Sequence, residues 1–312
     1  MPPRVRGAVK SGQASRTAIF VCQGRAVADG RMAVDRFSDP VAARLLGPEE
    51  LKPVEAARDD AGTAQGGGRE RWAVESVRAC AEIVAPRTVM IDEAVTSALA
   101  GQDGMQVVLL GAGLDTRPWR LPALETVKVF SVDHPDTQAD TRSRAADLTP
   151  VARELVFAPV DLTREPLDTA LETAGHDRAI PTVWIWEGVV PYLRKAEVAT
   201  TATAVAARSA TGSVMVVNYQ TPSLTATLGR AAGSLVARLG RVESATADEP
   251  WRSAWTPAQT AELLTTHGFT VEQDVDLLDL ARRIDSPTKH GRSLRNGRVA
   301  VARFIGSARA GR

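Results

Sequence analysis

Residues 107–117 read VVLLGAGLDTR, an apolar run that ends in a turn with two glycines. Gly111 and Gly113 lack a Cβ, so the backbone can turn sharply and approach a ligand closely. A second apolar run ends at Asp133, about twenty residues beyond the turn. This pattern is typical of doubly wound α/β sheets that bind adenosine-containing cofactors, with the later acid accepting hydrogen bonds from the ribose hydroxyls.

The third glycine of the dinucleotide fingerprint is missing, because Thr116 holds its position between Asp115 and Arg117. A small residue at that position lets helix and strand pack closely over a pyrophosphate. A carboxylate at Asp115 would also repel a pyrophosphate at the start of the helix. Asp115 instead suits a cofactor that presents a cation. S-adenosylmethionine carries an ammonium and a sulfonium and has no phosphate, so the sequence favours it over NAD.

Composition indicates one enzyme-sized globular protein. The chain has 312 residues, of which 44% are hydrophobic, enough for a large buried core. Its net charge of +1 predicts no nucleic-acid partner and no membrane partner. Cys22, Cys80 and the four histidines have no disulfide or metal spacing, so we expect a reducing, cytoplasmic location and no metal site. No apolar run has the length of a membrane span, and the N-terminus lacks a signal-peptide core.

Strands alternate with helices from residue 105 onward, which predicts right-handed crossovers and a parallel sheet. The predicted helices include 136–147 and 195–208, and the predicted strands are 106–110, 128–132, 155–160, 182–186 and 213–218. A helix over 256–269 is followed by alternating strands at 270–275 and 297–305, without a comparable crossover helix between them. This ending predicts an antiparallel strand on the C-terminal side of the sheet.

Regions outside the strands are helical or loop-like. We predict a mobile N-terminus over 1–14 and a helical cover over 15–100, with a loop or hinge at the glycine-rich break 59–70. The core of the enzyme then comprises 101–221 and 256–306.

An amphipathic insertion, residues 222–255, separates the two parts of the core. It has leucines at roughly helical spacing, followed by Trp251 and Trp255. A helical lid over an apolar acceptor pocket is one interpretation of this insertion. Packing onto the sheet and a contact in a homodimer are the others.

Acidic residues follow successive strands of the predicted sheet. Asp161 and Leu162 come at the end of the third strand, and Glu187 at the end of the fourth. Together with Asp133 they predict an acidic row along the edge at which α/β sheets bind ligands.

Several segments, in this order, resemble the leucine carboxyl methyltransferase-like family of S-adenosylmethionine-dependent enzymes. Its bacterial branch includes the TcmP-like polyketide O-methyltransferases. The matching segments are SRTAIFVCQGRA (15–26), RFSDPVAARLL (36–46), APRTVMIDEAV (85–95), QVVLLGAGLDTRPWRL (106–121), VFSVDHPDTQADTR (129–142), PVDL (159–162) and IWEGVVPYL (185–193).

The resemblance implies an α/β class I methyltransferase fold. Such a fold has a Rossmann-like sheet that is mostly parallel, with a C-terminal antiparallel strand, and here it would also carry the helical cover and the lid. It implies that Arg87 pairs with the methionine carboxylate of the cofactor, that Gly111 lies against the methionine portion and that Glu187 faces its amino end.

At the other end of the cofactor, the resemblance implies that Asp133 holds the ribose with His134 alongside the adenosine. Asp161 and Leu162 would frame the adenine. Thr17 or Arg16 would close the site from the N-terminal helix.

A small organic or polyketide-like acceptor methylated on oxygen, in secondary metabolism, is the expected substrate. A carboxylate acceptor needs no base, whereas a phenol or hydroxyl is helped by one. Tyr219 and His134 are the candidate catalytic residues, and Tyr192 and His267 are further candidates for a base. Tyr192, Tyr219, Trp251 and Trp255 are the candidate acceptor-binding residues.

Two other functions remain open on the sequence alone. A nicotinamide-dependent oxidoreductase would share Gly111, Gly113 and Asp133, but it predicts a third glycine and, in its short-chain form, a Tyr-x-x-x-Lys pair. The chain offers only Tyr192 with Lys195, one residue too close. A non-catalytic protein that retains the methyltransferase fold is the second alternative.

Overall fold

The computed structural model describes residues 15–59, 67–162, 164–222 and 251–306. The α-helices in this part of the chain are α1 Arg16–Ala28, α2 Pro48–Arg58, α3 Gly68–Leu99, α4 Arg117–Arg120, α5 Pro135–Arg144, α6 Leu167–Thr173, α7 Lys195–Ala207, α8 Pro257–Thr266, α9 Leu277–Arg283 and α10 Gly291–Asn296. The strands are β1 Gln106–Leu110, β2 Lys128–Asp133, β3 Glu154–Pro159, β4 Thr182–Trp186, β5 Val214–Gln220, β6 Phe269–Asp276 and β7 Gly297–Phe304.

These strands form one sheet in the order β3-β2-β1-β4-β5-β7-β6. β1 to β5 are parallel, and β7 is antiparallel to both β5 and β6. The predicted mostly parallel sheet with a C-terminal antiparallel strand is therefore confirmed. Each predicted strand lies within two residues of an observed one, because short apolar runs bounded by polar turns define strand positions locally.

The connection between β6 and β7 differs from the prediction, because α9 and α10 occupy it. Leu277, Leu278 and Leu280 of α9 and Leu294 of α10 are buried against the sheet. Each helix has at most seven residues. An apolar periodicity over so few residues does not distinguish a helix from a loop.

Both faces of the sheet are covered, as expected for parallel strands. One face packs Trp184, Trp186 and Val217 against α6, α7 and α8. The opposite face packs Leu109 and Ile185 against the C-terminal half of α3 and against α9 and α10. The turns that follow β1 to β4 lie at the carboxyl edge of the sheet. The N-terminal helix α1 lies beside this edge.

The helices α1, α2 and α3 form a cluster with its own buried apolar residues, including Val27, Val54 and Val77. α1 and α3 approach closely, because a Cβ at Gly24 would lie 2.7 Å from the Cys80 sulfur. The Arg144 guanidinium of α5 joins this cluster to the sheet by pairing with Glu50 of α2 at 2.6 Å. Cys22 and Cys80 are both free and buried.

The predicted break at 59–70 is wrong at its end, because α3 already begins at Gly68. The Glu70 side chain accepts a hydrogen bond from the Gly67 N–H at 3.1 Å, and such a cap stabilises a helix start despite the glycines. Residues 60–66, the predicted mobile N-terminus and most of the predicted lid, 223–250, lie outside the described residues. Within the described ranges, no helix combines the length and the apolar character of a membrane span.

Candidate cofactor site

A cleft of about 320 Å³ lies at the carboxyl ends of β1 to β4, where α/β sheets bind ligands. α1 closes one side of it with Thr17, Ala18 and Val21. The cleft contains all nine residues that the sequence predicts for the cofactor, which are Arg87, Gly111, Gly113, Asp115, Asp133, His134, Asp161, Leu162 and Glu187. The strand order thus brings together residues that are up to 100 positions apart in the chain.

The turn after β1 depends on its two glycines. Gly111 has φ 66° and Gly113 has φ 51°, in the left-handed region that L side chains rarely adopt. A Cβ at Gly111 would overlap Val189, and one at Gly113 would lie 3.0 Å from the Ala18 Cβ. The turn therefore leaves a bare backbone edge facing the cleft between β4 and α1.

Asp133 at the end of β2 faces this turn. Its carboxylate accepts hydrogen bonds from the backbone N–H groups of Gly113 and His134, both at 2.6 Å. Burial raises the pKa of the Asp133 carboxyl, although these two hydrogen bonds favour its ionised form. Each carboxylate oxygen accepts more than one hydrogen bond, so Asp133 keeps acceptor capacity for a ribose hydroxyl.

Arg87 and Glu187 form a buried ion pair in the cleft, with 2.7 Å between the Arg87 Nε and one Glu187 oxygen. The other Glu187 oxygen lies 2.7 Å from Arg117 Nη1. Burial alone raises the pKa of a carboxyl, but Arg117, Arg87 and Arg25 together hold the pKa of Glu187 well below its usual range. Glu187 therefore stays ionised in the folded protein at neutral pH.

Arg117 is at the centre of a larger cluster of charged side chains. It is not among the site residues predicted from the sequence. Its side chain is 1% exposed and also pairs with Asp92 at 2.6 Å and with Asp115 at 2.5 Å. Arg120 pairs with the second oxygen of Asp92 at 2.7 Å. Asp115, which the sequence predicts to face a cofactor cation, thus forms an ion pair with Arg117. Both Arg117 and Asp92 lie within the segments that carry the family resemblance, which is the signal that was available for them.

α1 contributes two polar side chains that the sequence indicates only weakly. The Arg25 guanidinium donates to the Leu114 carbonyl and pairs with Asp39 at 3.2 Å. Thr17 lines the cleft, and its hydroxyl is buried without a hydrogen-bond partner among the described residues. A buried, unpaired hydroxyl is costly, so its position is consistent with a ligand that supplies the missing hydrogen bond.

His134 and Asp161 border the other end of the cleft. His134 is the N-cap of α5, where its Nδ1 accepts from the Asp136 N–H at 3.3 Å. Its side chain is 38% exposed. Asp161 lies 3.4 Å from the Arg164 guanidinium, and Leu162 packs at the margin of the apolar core beside it.

The predicted acceptor residues separate into two groups. Tyr192 lines the cleft, whereas Tyr219 does not, because its hydroxyl donates to Asp274 on β6 at 2.6 Å. Burial, together with the Asp274 carboxylate, raises the pKa of Tyr219 well above its usual range. Trp255 is buried and its indole N–H donates to Ser253 at 3.1 Å, while Trp251 is 37% exposed.

His267 also lies away from the cleft, at the end of α8, where its Nδ1 is 2.8 Å from the Leu263 carbonyl oxygen. Of the tyrosines, tryptophans and His267 considered for the acceptor, the structure therefore places only Tyr192 in the cleft.

A second cavity of about 450 Å³ lies on the other side of α3, against β5 to β7. Charged groups at its rim pair with one another, namely Arg36 with Glu93 and Arg303 with Glu272. It contains neither the glycine turn nor the acids at strand ends, so the smaller cleft is the candidate cofactor site.

Comparison with known proteins shows which family the chain resembles. Residues 18–206 match a family model described as leucine carboxyl methyltransferase. A protein of Frankia alni, named a "putative S-adenosyl-L-methionine-dependent methyltransferase", is 35% identical over 67% of this chain and 70% of its own length. A Streptomyces coelicolor protein of the same description is 36% identical over 64% of this chain and 66% of its own length.

The fold has counterparts among solved structures. A protein of the DUF574 family from Streptomyces avermitilis superposes with a TM-score of 0.50 at 16% identity, covering 93% of this chain and 98% of its own. This likeness concerns the fold alone, and the sheet order and the antiparallel β7 are those of the class I methyltransferase architecture.

Proposed function

Because the chain belongs to the leucine carboxyl methyltransferase family and is an S-adenosylmethionine-dependent methyltransferase, we propose that it methylates a carboxylate oxygen of a small organic acceptor. The reaction is proposed to serve secondary metabolism in the cytoplasm. This assignment replaces the nicotinamide-dependent oxidoreductase and the non-catalytic protein considered from the sequence.

The residues of the cleft fit S-adenosylmethionine. The Arg87–Glu187 pair presents a cation and an anion side by side, which complements the carboxylate and the ammonium of the methionine part. Asp133 offers acceptors to the ribose, and the unpaired Thr17 hydroxyl offers a further contact. When bound, the cofactor supplies a methyl group on a positively charged sulfur that is already strongly electrophilic.

The protein's own contribution is alignment and exclusion of water. Gly111, Gly113 and Val189 shape the wall of the cleft, and α1 covers it. An acceptor oxygen held in line behind the methyl reacts without further activation if it is already an anion.

A carboxylate acceptor is favoured by one observation: the hydroxyl of Tyr219, the best-placed candidate base in the sequence, donates a hydrogen bond to Asp274 outside the cleft. A carboxylate loses its proton in solution and needs no base from the protein. The description of the matched family names a carboxyl methyltransferase, which supports the same acceptor class.

A phenol or hydroxyl acceptor is the second candidate, and Tyr192 is the observation that favours it, because this tyrosine lines the cleft. A hydroxyl acceptor could then use the phenol of Tyr192 as a hydrogen-bond partner, and His134, the other candidate base that lines the cleft, lies at the adenosine end.

The bond that forms distinguishes the two acceptor classes. The protein would be incubated with S-adenosylmethionine labelled in its methyl group and with pairs of acceptors that differ only in bearing a carboxylate or a hydroxyl. Methyl esters release labelled methanol in mild alkali, whereas aryl and alkyl methyl ethers keep the label. We expect alkali-labile label from the carboxylate member of a pair. Label that is stable to alkali and comes from the hydroxyl member would overturn the proposal.

A further inference from the structure

Arg117 is buried beneath the cleft, without lining it, and it contacts two residues that do line it. One nitrogen, Nη1, lies 2.7 Å from a Glu187 oxygen and 2.5 Å from an Asp115 oxygen. The Nε of the same guanidinium lies 2.6 Å from Asp92 of α3. A planar fork can hold three carboxylates in fixed directions, which a lysine ammonium on a flexible stem cannot do.

The two guanidiniums that hold Glu187 differ in access to a ligand. Arg87 lines the cleft, so a bound amino-acid carboxylate would compete with Glu187 for its N–H groups. The Arg117 side chain is only 1% exposed, so a ligand in the cleft cannot compete with Glu187 for its N–H groups. Arg117 therefore keeps one Glu187 oxygen fixed while Arg87 turns part of its donors to the ligand.

We infer that Arg117 is a positioning residue that fixes the Glu187 carboxylate, as an anion, for the ammonium of the cofactor. This inference rests on the assignment of S-adenosylmethionine as cofactor. It concerns the methionine end of the cofactor only, because the adenosine end is bordered by Asp133, His134 and Asp161, none of which Arg117 contacts.

The charges around Glu187 explain why loss of Arg117 would make ligand binding depend on pH. The cations that face Glu187 are Arg87 from α3, Arg117 from α4 and Arg25 from α1. Asp115 is the neighbouring carboxylate, and it shares Nη1 of Arg117 with Glu187. Without Arg117, burial and Asp115 would both favour protonated Glu187, so the anion that binds the ammonium would form only as the pH rises.

The test uses two ligands that share the adenosine end. S-adenosylhomocysteine carries the amino-acid group, whereas 5′-methylthioadenosine lacks it. In Arg117→Met we expect S-adenosylhomocysteine to bind at least about tenfold more weakly at pH 6 than at pH 8.5, with wild-type affinity nearly flat over this range. Binding of 5′-methylthioadenosine should stay within about twofold of wild type at both pH values.

Arg120→Met is the matched control. Arg120 is a second buried guanidinium that pairs with the same Asp92 but has no contact with Glu187. It should leave the affinity for S-adenosylhomocysteine independent of pH. In the double variant Arg117→Met, Glu187→Gln the pH dependence should disappear, since no carboxyl remains at position 187.

Several results would overturn the inference. Flat, wild-type-like binding of S-adenosylhomocysteine by Arg117→Met would do so, and so would an equal loss for both ligands, which indicates a general structural role. If Arg117→Met does not fold, Arg117→Lys keeps the charge without the fork and should show the same selective, pH-dependent loss in smaller degree. Failure of the wild-type protein to bind S-adenosylhomocysteine would contradict the cofactor assignment instead, and is distinguishable on that ground.

Discussion

Two clusters of buried polar residues lie at opposite ends of the same parallel strands. At the carboxyl ends, Arg117 and Arg87 pair with carboxylates, which include Glu187 in the cleft. At the amino ends, Arg208 donates to the backbone carbonyls of His176 at 2.6 Å and of Asp168 at 3.3 Å. Arginine is buried in both places, but its hydrogen-bond partners differ, and the carboxylate that pairs with Arg208, at 3.7 Å, is that of the exposed Glu172. Carboxylates in the cleft remain available to a charged ligand, whereas backbone carbonyls at the amino ends stabilise only the fold.

The amino-end cluster is expected to give the largest effect on stability. Arg208→Met removes charged donors from buried carbonyls and from the His176 ring, whose Nδ1 lies 3.3 Å from Arg208 Nε. Unpaired buried acceptors cost more than the hydrogen bonds themselves contributed, so we expect a loss of about 3 kcal/mol in the free energy of unfolding. Denaturant titration measures this loss. Cofactor affinity of the folded variant should not change, and a large change would mean that the two clusters are coupled.

The carboxyl-end cluster is expected to give the largest effect on ligand binding. Glu187→Gln removes the anion for the cofactor ammonium while keeping the side-chain shape. We expect S-adenosylhomocysteine to bind with about 2 kcal/mol less free energy, roughly 30-fold, as for a hydrogen bond to a charged group. Isothermal titration calorimetry measures it.

Glu197→Gln is the matched control for that variant, because Glu197 is an acid paired with Arg194 at the start of α7, away from the cleft. Its affinity for S-adenosylhomocysteine should equal that of wild type. Equal losses in Glu187→Gln and Glu197→Gln would contradict the assignment of the anion to Glu187.

The amino-end cluster also predicts a pH dependence of stability. Burial, followed by the charge of Arg208, lowers the pKa of His176 to about 4. The unfolded chain has a histidine pKa of about 6.5, so it binds the proton more readily than the folded protein does. Stability from this residue is complete well above pH 6.5 and is lost as the pH falls through 6.5 toward 4, by about 2 kcal/mol at pH 5.

Thermal unfolding between pH 5 and 7 measures this dependence in a window above the usual range of carboxyl titration. His176→Gln should be less stable at neutral pH but should show a flatter profile. A wild-type profile that is flat from pH 5 to 7 would contradict the neutral, buried state of His176.

The smallest effect is expected at Tyr219, which lies at the carboxyl end of β5 and outside both clusters. Tyr219→Phe removes one hydrogen bond to Asp274, which retains Arg298 at 2.9 Å. We expect a loss of about 1 kcal/mol in stability and almost no change in kcat with a carboxylate acceptor. A fall of about 100-fold in kcat, with stability unchanged, would identify Tyr219 as the base for a hydroxyl acceptor.

The sequence predicts the carboxyl-end cleft well, because local patterns determine it. Apolar runs mark β1 to β4, and the residues that follow them necessarily meet at one edge of a parallel sheet. Gly111, Gly113, Asp133 and Glu187 are therefore predictable from their own segments.

The rest depends on partners far away in the chain. Arg117 meets Glu187 across 70 positions, and Tyr219 meets Asp274 across 55. The second contact reaches across β7, which lies between β5 and β6 in the sheet, and no local pattern indicates that strand order. The short helices α9 and α10 were not predicted for a related reason. Their contacts with the sheet define them, whereas their own apolar periodicity does not.

Calorimetric titration of the wild-type protein and of Asp133→Ala tests which cofactor the cleft binds. We predict that S-adenosylmethionine binds the wild-type protein, that NAD gives no binding heat, and that Asp133→Ala weakens S-adenosylmethionine binding by about 1–3 kcal/mol because ribose hydroxyls lose their acceptor. Tight binding of NAD with no response to S-adenosylmethionine would show that the cleft is a dinucleotide site.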